Sequence, residues 1–217
     1  MKPVVRLLTT TQPVEGVEFL SEELDIIEYS GRWDYGPKSI SKMGDREIIG
    51  RWIKAGHESM LEMVDATFFI ECSRVVTHEL VRHRIASYQQ ESQRFVEYGE
   101  EDPEDLFYTP DGLGTEDDEL HYRLYVENAL MEYNYLRSQG VSKQLARYVL
   151  PNATRTRIIV KMNLREWRHV LKLRCHPSAQ PEMREVMFQV LAILLNRYPE
   201  VFTDVEKEIA DEVRAVR

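Results

Sequence analysis

The pattern of hydrophobic and polar positions predicts a mixture of helices with a few strands. From residue 153 to residue 162, threonine and aliphatic side chains alternate with arginine, isoleucine and lysine, which is the period of two of a strand with distinct faces. Residues 64–72, VDATFFIEC, are rich in β-branched and aromatic types and are also predicted to be a strand. Strands and helices do not alternate regularly, so the pattern favours a helix-rich α+β fold over a doubly wound one.

Apolar positions at helical spacing predict five helices. Ser73 can cap one of them, which runs to about Arg84, and a glycine or a proline marks the end of three others. The acidic stretch 98–118, which contains prolines and glycines, is predicted to be a surface excursion within one domain of residues 1–217. The predicted helices cover residues 44–56, 73–84, 116–139, 164–174 and 181–197.

Composition and charge narrow the class of protein. The 217 residues are 43% hydrophobic and 30% charged, and they carry a formal net charge of −9, from 28 basic against 37 acidic residues. This charge argues against broad binding to nucleic acid, so we expect any anion site to be local. With two cysteines and no recognisable signal peptide or membrane-spanning run, the chain is predicted to be cytoplasmic and to have no membrane partner.

The window RHRIASYQQESQRF, from Arg82 to Phe95, carries the most chemical information. Arginine forks bind phosphate or carboxylate through two parallel hydrogen bonds, and the hydroxyls and amides that follow can contact a sugar or a base. These residue types indicate a nucleotide pocket. The same cations also suit the C-terminal end of a helix, where they complement the helix dipole without any ligand, so the residue types alone leave both interpretations open.

This window resembles the signature of flavin-dependent thymidylate synthases, in which RHR is followed at fixed spacings by serine, asparagine, serine and arginine. Every fixed position matches except that Gln89 stands for asparagine, and Phe95 follows where tyrosine is usual. Three further stretches between about His57 and Glu182 resemble the family in the same order: GHESMLEM, ARYVLP and MNLREWRHVLKLR. The resemblance implies the thymidylate synthase-complementing protein fold, a mainly antiparallel sheet flanked by helices.

The resemblance also implies a reaction and its ligands. FAD reduced by NADPH supplies hydride, 5,10-methylenetetrahydrofolate supplies carbon, and dUMP becomes dTMP, in a homotetramer whose active sites lie between subunits. Matching positions imply that FAD is bound by Ser59, Arg82, His83, Arg84, Gln90, Asn163, Leu164, Arg165 and His169. They imply that dUMP is bound by Glu79, Leu80, Val81, Arg82, Gln90, Glu91, Ser92, Gln93, Arg94, Arg147 and Arg174. Arg94 and Arg147 are the expected phosphate partners.

Arg174 is the predicted catalytic residue. It ends an apolar stripe with Trp167, Val170 and Leu171 on one helical face, and a buried arginine without a partner is very costly. We therefore expect it to meet a carboxylate or a ligand anion. By the resemblance, its guanidinium faces the uracil and favours ionisation at N3. After Arg174 the chain departs from the family, with Ser178 where a histidine is usual.

Parts of the sequence suggest three other functions, two of which the residues disfavour. A zinc hydrolase needs histidines four apart with a glutamate between them, whereas His78 and His83 are five apart, about 140° around a helix, so no metal site is predicted. A nucleotide-binding regulator would use the same arginine and serine pocket without bound flavin. A thiol nucleophile at Cys175, beside Arg174 and His176, is disfavoured because a lone cysteine more often acts as a small apolar residue.

Overall fold

The structure is a computed structural model that describes residues 2–215, with the side chains of residues 2–214. In this range the strands are β1 (Val4–Thr10), β2 (Asp65–Ser73), β3 (Ser87–Gln90) and β4 (Arg155–Asn163). The α-helices are α1 (Glu23–Trp33), α2 (Pro37–Ile40), α3 (Glu47–Lys54), α4 (Arg74–Leu80), α5 (Pro103–Leu106), α6 (Glu116–Ser138), α7 (Lys143–Ala146), α8 (Leu164–Arg174), α9 (Pro181–Arg197) and α10 (Pro199–Ala215). Short 3-10 helices cover Ser59–Met63 and Arg147–Val149.

The sheet formed by residues 2–215 has four antiparallel strands in the order β1-β2-β4-β3 and is accompanied by helices, which confirms the predicted α+β class. Along β4 the even-numbered side chains from Thr156 to Met162 are buried, and their odd-numbered neighbours Arg157, Ile159 and Lys161 are exposed. One face of this strand therefore lies in the core, and this is the cause of the period of two in its sequence.

Helices α8 and α9 begin and end where the sequence predicts. The side chain of Asn163 accepts a hydrogen bond from the backbone nitrogen of Glu166 at 2.8 Å and so caps the start of α8. Gln180 caps α9 in the same way, at 2.7 Å from the nitrogen of Met183. Because both starts are fixed by side chains, Arg174 is held as the last residue of α8.

The helix predicted to run from Ser73 to about Arg84 is too long. Ser73 does cap it, by accepting a backbone hydrogen bond at 3.5 Å, but α4 ends at Leu80 and residues 81–84 lie outside it. The hydroxyl of Tyr88 donates to the carbonyl of Leu80 at 2.8 Å and satisfies one of the open carbonyls at the helix end. The chain then joins the sheet as β3, which the sequence did not predict.

The contacts of the chain divide it into two compact units. The first unit comprises residues 2–4, Ile70–Arg82 and Tyr88–Ile159, and the second comprises Val5–Phe69, His83–Ser87 and residues 160–215. Strands β2 and β4 contribute residues to both units. That residues 1–217 form one functional domain stays a prediction.

Apolar residues from the acidic 98–118 stretch form part of the core of the first unit, which corrects the prediction of a surface excursion. Tyr98, Leu106 and Phe107 are buried in the same cluster as Leu130 and Tyr133 of α6. The rings of Tyr98 and Tyr133 meet edge to face, with 6.3 Å between their centroids. Burial of each large apolar side chain contributes about 1.5–3 kcal/mol, so these residues pack in the core although the segment around them is polar.

Trp167 fixes α8 in the second unit. Its indole N–H donates to the carbonyl of Ala66 at 3.0 Å, and its ring lies 5.1 Å from that of Phe68 in an edge-to-face contact. The other sides of α8 pack against α9, α10 and the 3-10 helix of Ser59–Met63. These contacts place the two ends of α8, Asn163 and Arg174, at fixed positions.

Candidate active site

The RHR segment buries one side chain and exposes two. His83 is 8% exposed, whereas Arg82 and Arg84 are both exposed. The segment follows α4 directly, and the backbone N–H of Arg82 donates to the carbonyl of Glu79 in the turn that ends the helix. Cations at this place still complement the helix dipole, so this interpretation stays open beside that of a nucleotide pocket, and the buried histidine is the distinctive feature of the cluster.

His83 contacts α8 at both ends of its ring. Its Nε2 accepts a hydrogen bond from the Nε–H of Arg174 at 3.0 Å, and its Nδ1 lies 3.9 Å from a carboxylate oxygen of Glu166. The ring of His169 lies 6.1 Å away in an edge-to-face arrangement. Arg174 is half-buried, and this contact with an imidazole was not expected from the sequence. That Arg174 also meets a carboxylate or a ligand anion stays a prediction.

The surroundings of His83 keep its imidazole neutral. Burial is the main cause that lowers its pKa to about 4, and the positive charge of Arg174 and the nearby His169 lower it further. A guanidinium can only donate, so the Nε2 of His83 must be the acceptor. The single proton of the neutral ring then lies on Nδ1, on the side that faces Glu166.

A cavity of about 550 Å³ lies along α8 in the second unit, within the usual size range of cofactor sites. Three of the predicted flavin residues line it, and the other lining residues were not predicted from the sequence to belong to a site. Several of these other residues lie on α8, three or four positions from the predicted ones. This spacing places side chains on one face of a helix and was a signal in the sequence that could have identified them. The lining residues are Glu58, Glu62, Ile85, Asn163, Arg165, Glu166, Arg168, His169 and Lys172.

Ion pairs organise the charges of this cavity. Arg165 pairs with Glu62 at 2.5 Å, and both side chains are about half exposed. Arg168 is buried and pairs with Glu58 at 3.0 Å and with Asp204 of α10 at 2.7 Å. The accessible pair can exchange its carboxylate for a ligand phosphate, whereas the buried Arg168 holds the wall of the cavity.

The residues around the cavity fit the chemistry of FAD. Arg165 and His169 are exposed hydrogen-bond donors suited to phosphate or ribose oxygens, and the 66% exposed Ile85 offers an apolar surface for a ring. Leu164 fits less well, because its side chain is fully buried and its N–H donates to the carbonyl of Val64. A flavin contact from Leu164 therefore cannot come from that side chain or that N–H.

Among the predicted dUMP residues of the first unit, some side chains are held by hydrogen bonds and one has an unsatisfied donor. Gln90 donates to the hydroxyl of Thr77 at 3.0 Å, and Glu91 accepts from the hydroxyl of Tyr98 at 2.8 Å. Gln93 is buried, and its Nε2 has no hydrogen-bond partner among the described residues. Leaving such a donor unsatisfied costs about 1–3 kcal/mol, which an acceptor on a ligand would remove.

The two arginines predicted to bind the dUMP phosphate lie in the first unit and lack carboxylate partners. Arg94 lies over the ring of Phe95 at 5.3 Å, and the Nε–H of Arg147 donates to the carbonyl of Gln144 at 3.2 Å. Neither arginine has an ion pair within residues 2–214. Arg74, which the sequence analysis did not single out, lies near Arg147: burial lowers its pKa and the like charge of Arg147 adds to this.

Comparison with known proteins places these residues in a family. Residues 17–200 match the Thy1 family, described as thymidylate synthase complementing protein. The chain belongs to this family. Relatives named flavin-dependent thymidylate synthase include those of Pyrococcus furiosus, 38% identical over 87% of this chain and 77% of the relative, and Geobacter sulfurreducens, 41% identical over 72% and 68%. The resemblance predicted from the sequence is confirmed.

A solved structure supports the fold of this Thy1 chain. The UMP/dUMP methylase PolB from Streptomyces cacaoi, bound with 5-Br dUMP, matches with a TM-score of 0.77 over 94% of this chain and 95% of that one. At 23% identity this likeness concerns the fold alone.

The structure also bears on the other functions. Cys175 is fully buried, and burial raises the pKa of its thiol to about 12 although Arg184 opposes the shift, so a thiolate nucleophile is not available there at neutral pH. Residues 2–215 contain no group of three or more His, Cys, Asp or Glu side chains that could hold a metal ion. In the same range, no helix has the length and apolar character to cross a membrane.

The low pKa of His83 predicts how stability depends on pH. The folded protein resists protonation of His83 until about pH 4, whereas an unperturbed imidazole binds a proton near pH 6.5. The contribution of the neutral ring to stability is therefore fully present above pH 6.5 and declines as the pH falls to 4. Urea unfolding should show wild type losing stability relative to His83→Gln across this window, with the exposed His121→Gln as a control. Parallel curves for wild type and His83→Gln would contradict the assignment.

Proposed function

We infer that this protein is a flavin-dependent thymidylate synthase that converts dUMP to dTMP by reductive methylation. The carbon comes from 5,10-methylenetetrahydrofolate, NADPH provides the reducing equivalents, and FAD, when bound, would supply the hydride for the substrate. The observation that carries the proposal is the contact between Arg174 and the buried His83, beside a cavity whose donors suit FAD. Family membership supports the same reaction.

In this proposal, the second unit supplies most of the flavin contacts. Arg165 exchanges Glu62 for a phosphate of the cofactor, and His169 and the amide of Asn163 donate to its oxygens. Ser59 and Arg84 are exposed and available for the same ligand. The complete proposed set is Ser59, Arg82, His83, Arg84, Gln90, Asn163, Leu164, Arg165 and His169.

The phosphate of dUMP is assigned to two arginines that form no ion pair in the described part of the chain. Arg94 and Arg147 bind it, and Arg74 adds positive charge beside Arg147. The buried Nε2 of Gln93 donates a hydrogen bond to the nucleotide, which gives this donor the acceptor that it lacks in the described part of the chain. The other proposed dUMP contacts are Glu79, Leu80, Val81, Arg82, Gln90, Glu91, Ser92 and Arg174, and the fully buried side chain of Leu80 restricts its contact to the backbone.

Arg174 activates the uracil in this mechanism. A guanidinium stays protonated at all working pH values, so it stabilises negative charge on the ring rather than transferring a proton. Ionisation at N3 raises the electron density at C5, the carbon that receives the one-carbon unit. The residue therefore acts by electrostatic preorganisation.

We also propose a cytoplasmic homotetramer in which more than one chain contributes to each active site. Exposed apolar residues on α6 support assembly: Leu120 is 55%, Leu124 is 47% and Met131 is 67% exposed, and they fall on one stripe of the helix. Such a stripe is costly in water and is covered when copies associate.

Bound flavin separates the synthase from a regulator that only binds nucleotide. After loading with FAD and desalting, the protein should retain flavin absorbance, and dUMP should shift these bands because the nucleotide binds next to the cofactor. An absorbance spectrum followed by titration with dUMP, and with dTTP as the control ligand, measures both properties. Binding of dUMP without retained flavin would favour the regulator.

Arg174→Ala should separate binding of FAD from catalysis. The variant is expected to retain flavin and to lose about 100- to 1000-fold in kcat, as expected when one preorganised charge is removed from a reacting centre. The assay follows dTMP formation with FAD, NADPH and methylenetetrahydrofolate at saturation. Arg214→Ala, at an exposed position of α10, is the control for loss of an arginine. Near-normal turnover of Arg174→Ala would remove Arg174 from the mechanism.

A further inference from the structure

We propose that His83 is a positioning residue for Arg174, in addition to its predicted flavin contact. The proposal rests on the proposed function, because it explains how the guanidinium of Arg174 is aimed at the uracil. Its basis is the hydrogen bond of 3.0 Å from the Nε–H of Arg174 to the Nε2 of His83.

This hydrogen bond restricts the orientation of the guanidinium. The five N–H donors of arginine lie in one plane, so an acceptor fixed at Nε sets the plane and the direction of both Nη groups. Arg174 is the last residue of α8, and this hydrogen bond selects those rotamers of its long side chain that place Nε against His83. The acceptor thus fixes the side chain before substrate binds.

His83 can serve as such a fixed point because its own position is determined by α8. Its ring is 8% exposed and lies 3.9 Å from Glu166 and 6.1 Å, centroid to centroid, from the ring of His169. Glu166, His169 and Arg174 all belong to α8, which is anchored in the core by Trp167. The acceptor and the donor therefore keep their relative position.

An imidazole differs from a carboxylate in this role. A carboxylate in the place of His83 would bring a negative charge to the Nε side of the guanidinium and weaken the positive charge that the reaction needs. A neutral imidazole accepts the N–H without adding a negative charge of its own. The low pKa of His83 keeps the ring in this accepting form at neutral pH.

A double-mutant cycle tests this role. His83→Leu removes the acceptor, and His83→Gln restores one, since the Gln side-chain oxygen can occupy about the place of Nε2. Each change is made in wild type and in Arg174→Lys, which keeps the charge but has no guanidinium Nε–H. The measurements are kcat and the KM for dUMP at saturating FAD, with the bound flavin fraction determined by absorbance. His121→Leu, on α6, is the control for loss of an exposed histidine.

We expect His83→Leu to lower kcat on the order of 10- to 100-fold at full flavin occupancy, as a small misplacement of a catalytic group does. His83→Gln should recover most of this loss, and in Arg174→Lys the change to Leu should cost little more. The proposal is overturned if His83→Leu turns over normally, or if its loss is the same in both backgrounds. If wild type forms no dTMP, the proposed function itself fails, which is a distinct result.

Discussion

The hydrogen bond between Arg174 and His83 is the contact on which the candidate site depends. It joins the segment after α4 to the end of α8, and its acceptor is a neutral imidazole that adds no negative charge. The position of α8 in turn depends on Trp167, whose N–H is bonded to β2. A series of specific contacts therefore connects the core to the guanidinium of Arg174, which is proposed to act on the uracil.

The charge balance of the chain is a second constraint on the candidate site. The chain has a net charge of −9, and many arginines in its described part pair with a carboxylate, as Arg157 does with Glu71 and Glu91. Arg94 and Arg147 have no such partner in the described part of the chain, so each leaves a positive charge that an anion can neutralise. An acidic protein can thus bind a nucleotide tightly at one place and still repel nucleic acid overall.

The sequence was most informative where one periodicity dominates. The bounds of α8 and α9 and the faces of β4 followed from apolar spacing and from the proline after α9, and the family was evident from motif order. Local patterns could not show that α4 ends at Leu80, because a hydroxyl from β3 completes that end. Nor could they pair Arg174 with His83, which is 91 positions away, since only the tertiary fold brings them together.

Release of the C5 hydrogen of dUMP tests the account most directly, because methylation must replace that hydrogen. The measurement uses dUMP labelled with tritium at C5 and follows tritium released into water together with dTMP formed. The account predicts one tritium released per dTMP, and only when FAD, NADPH and methylenetetrahydrofolate are all present. Tight binding of dUMP without release of tritium, or release that does not need FAD, would contradict it.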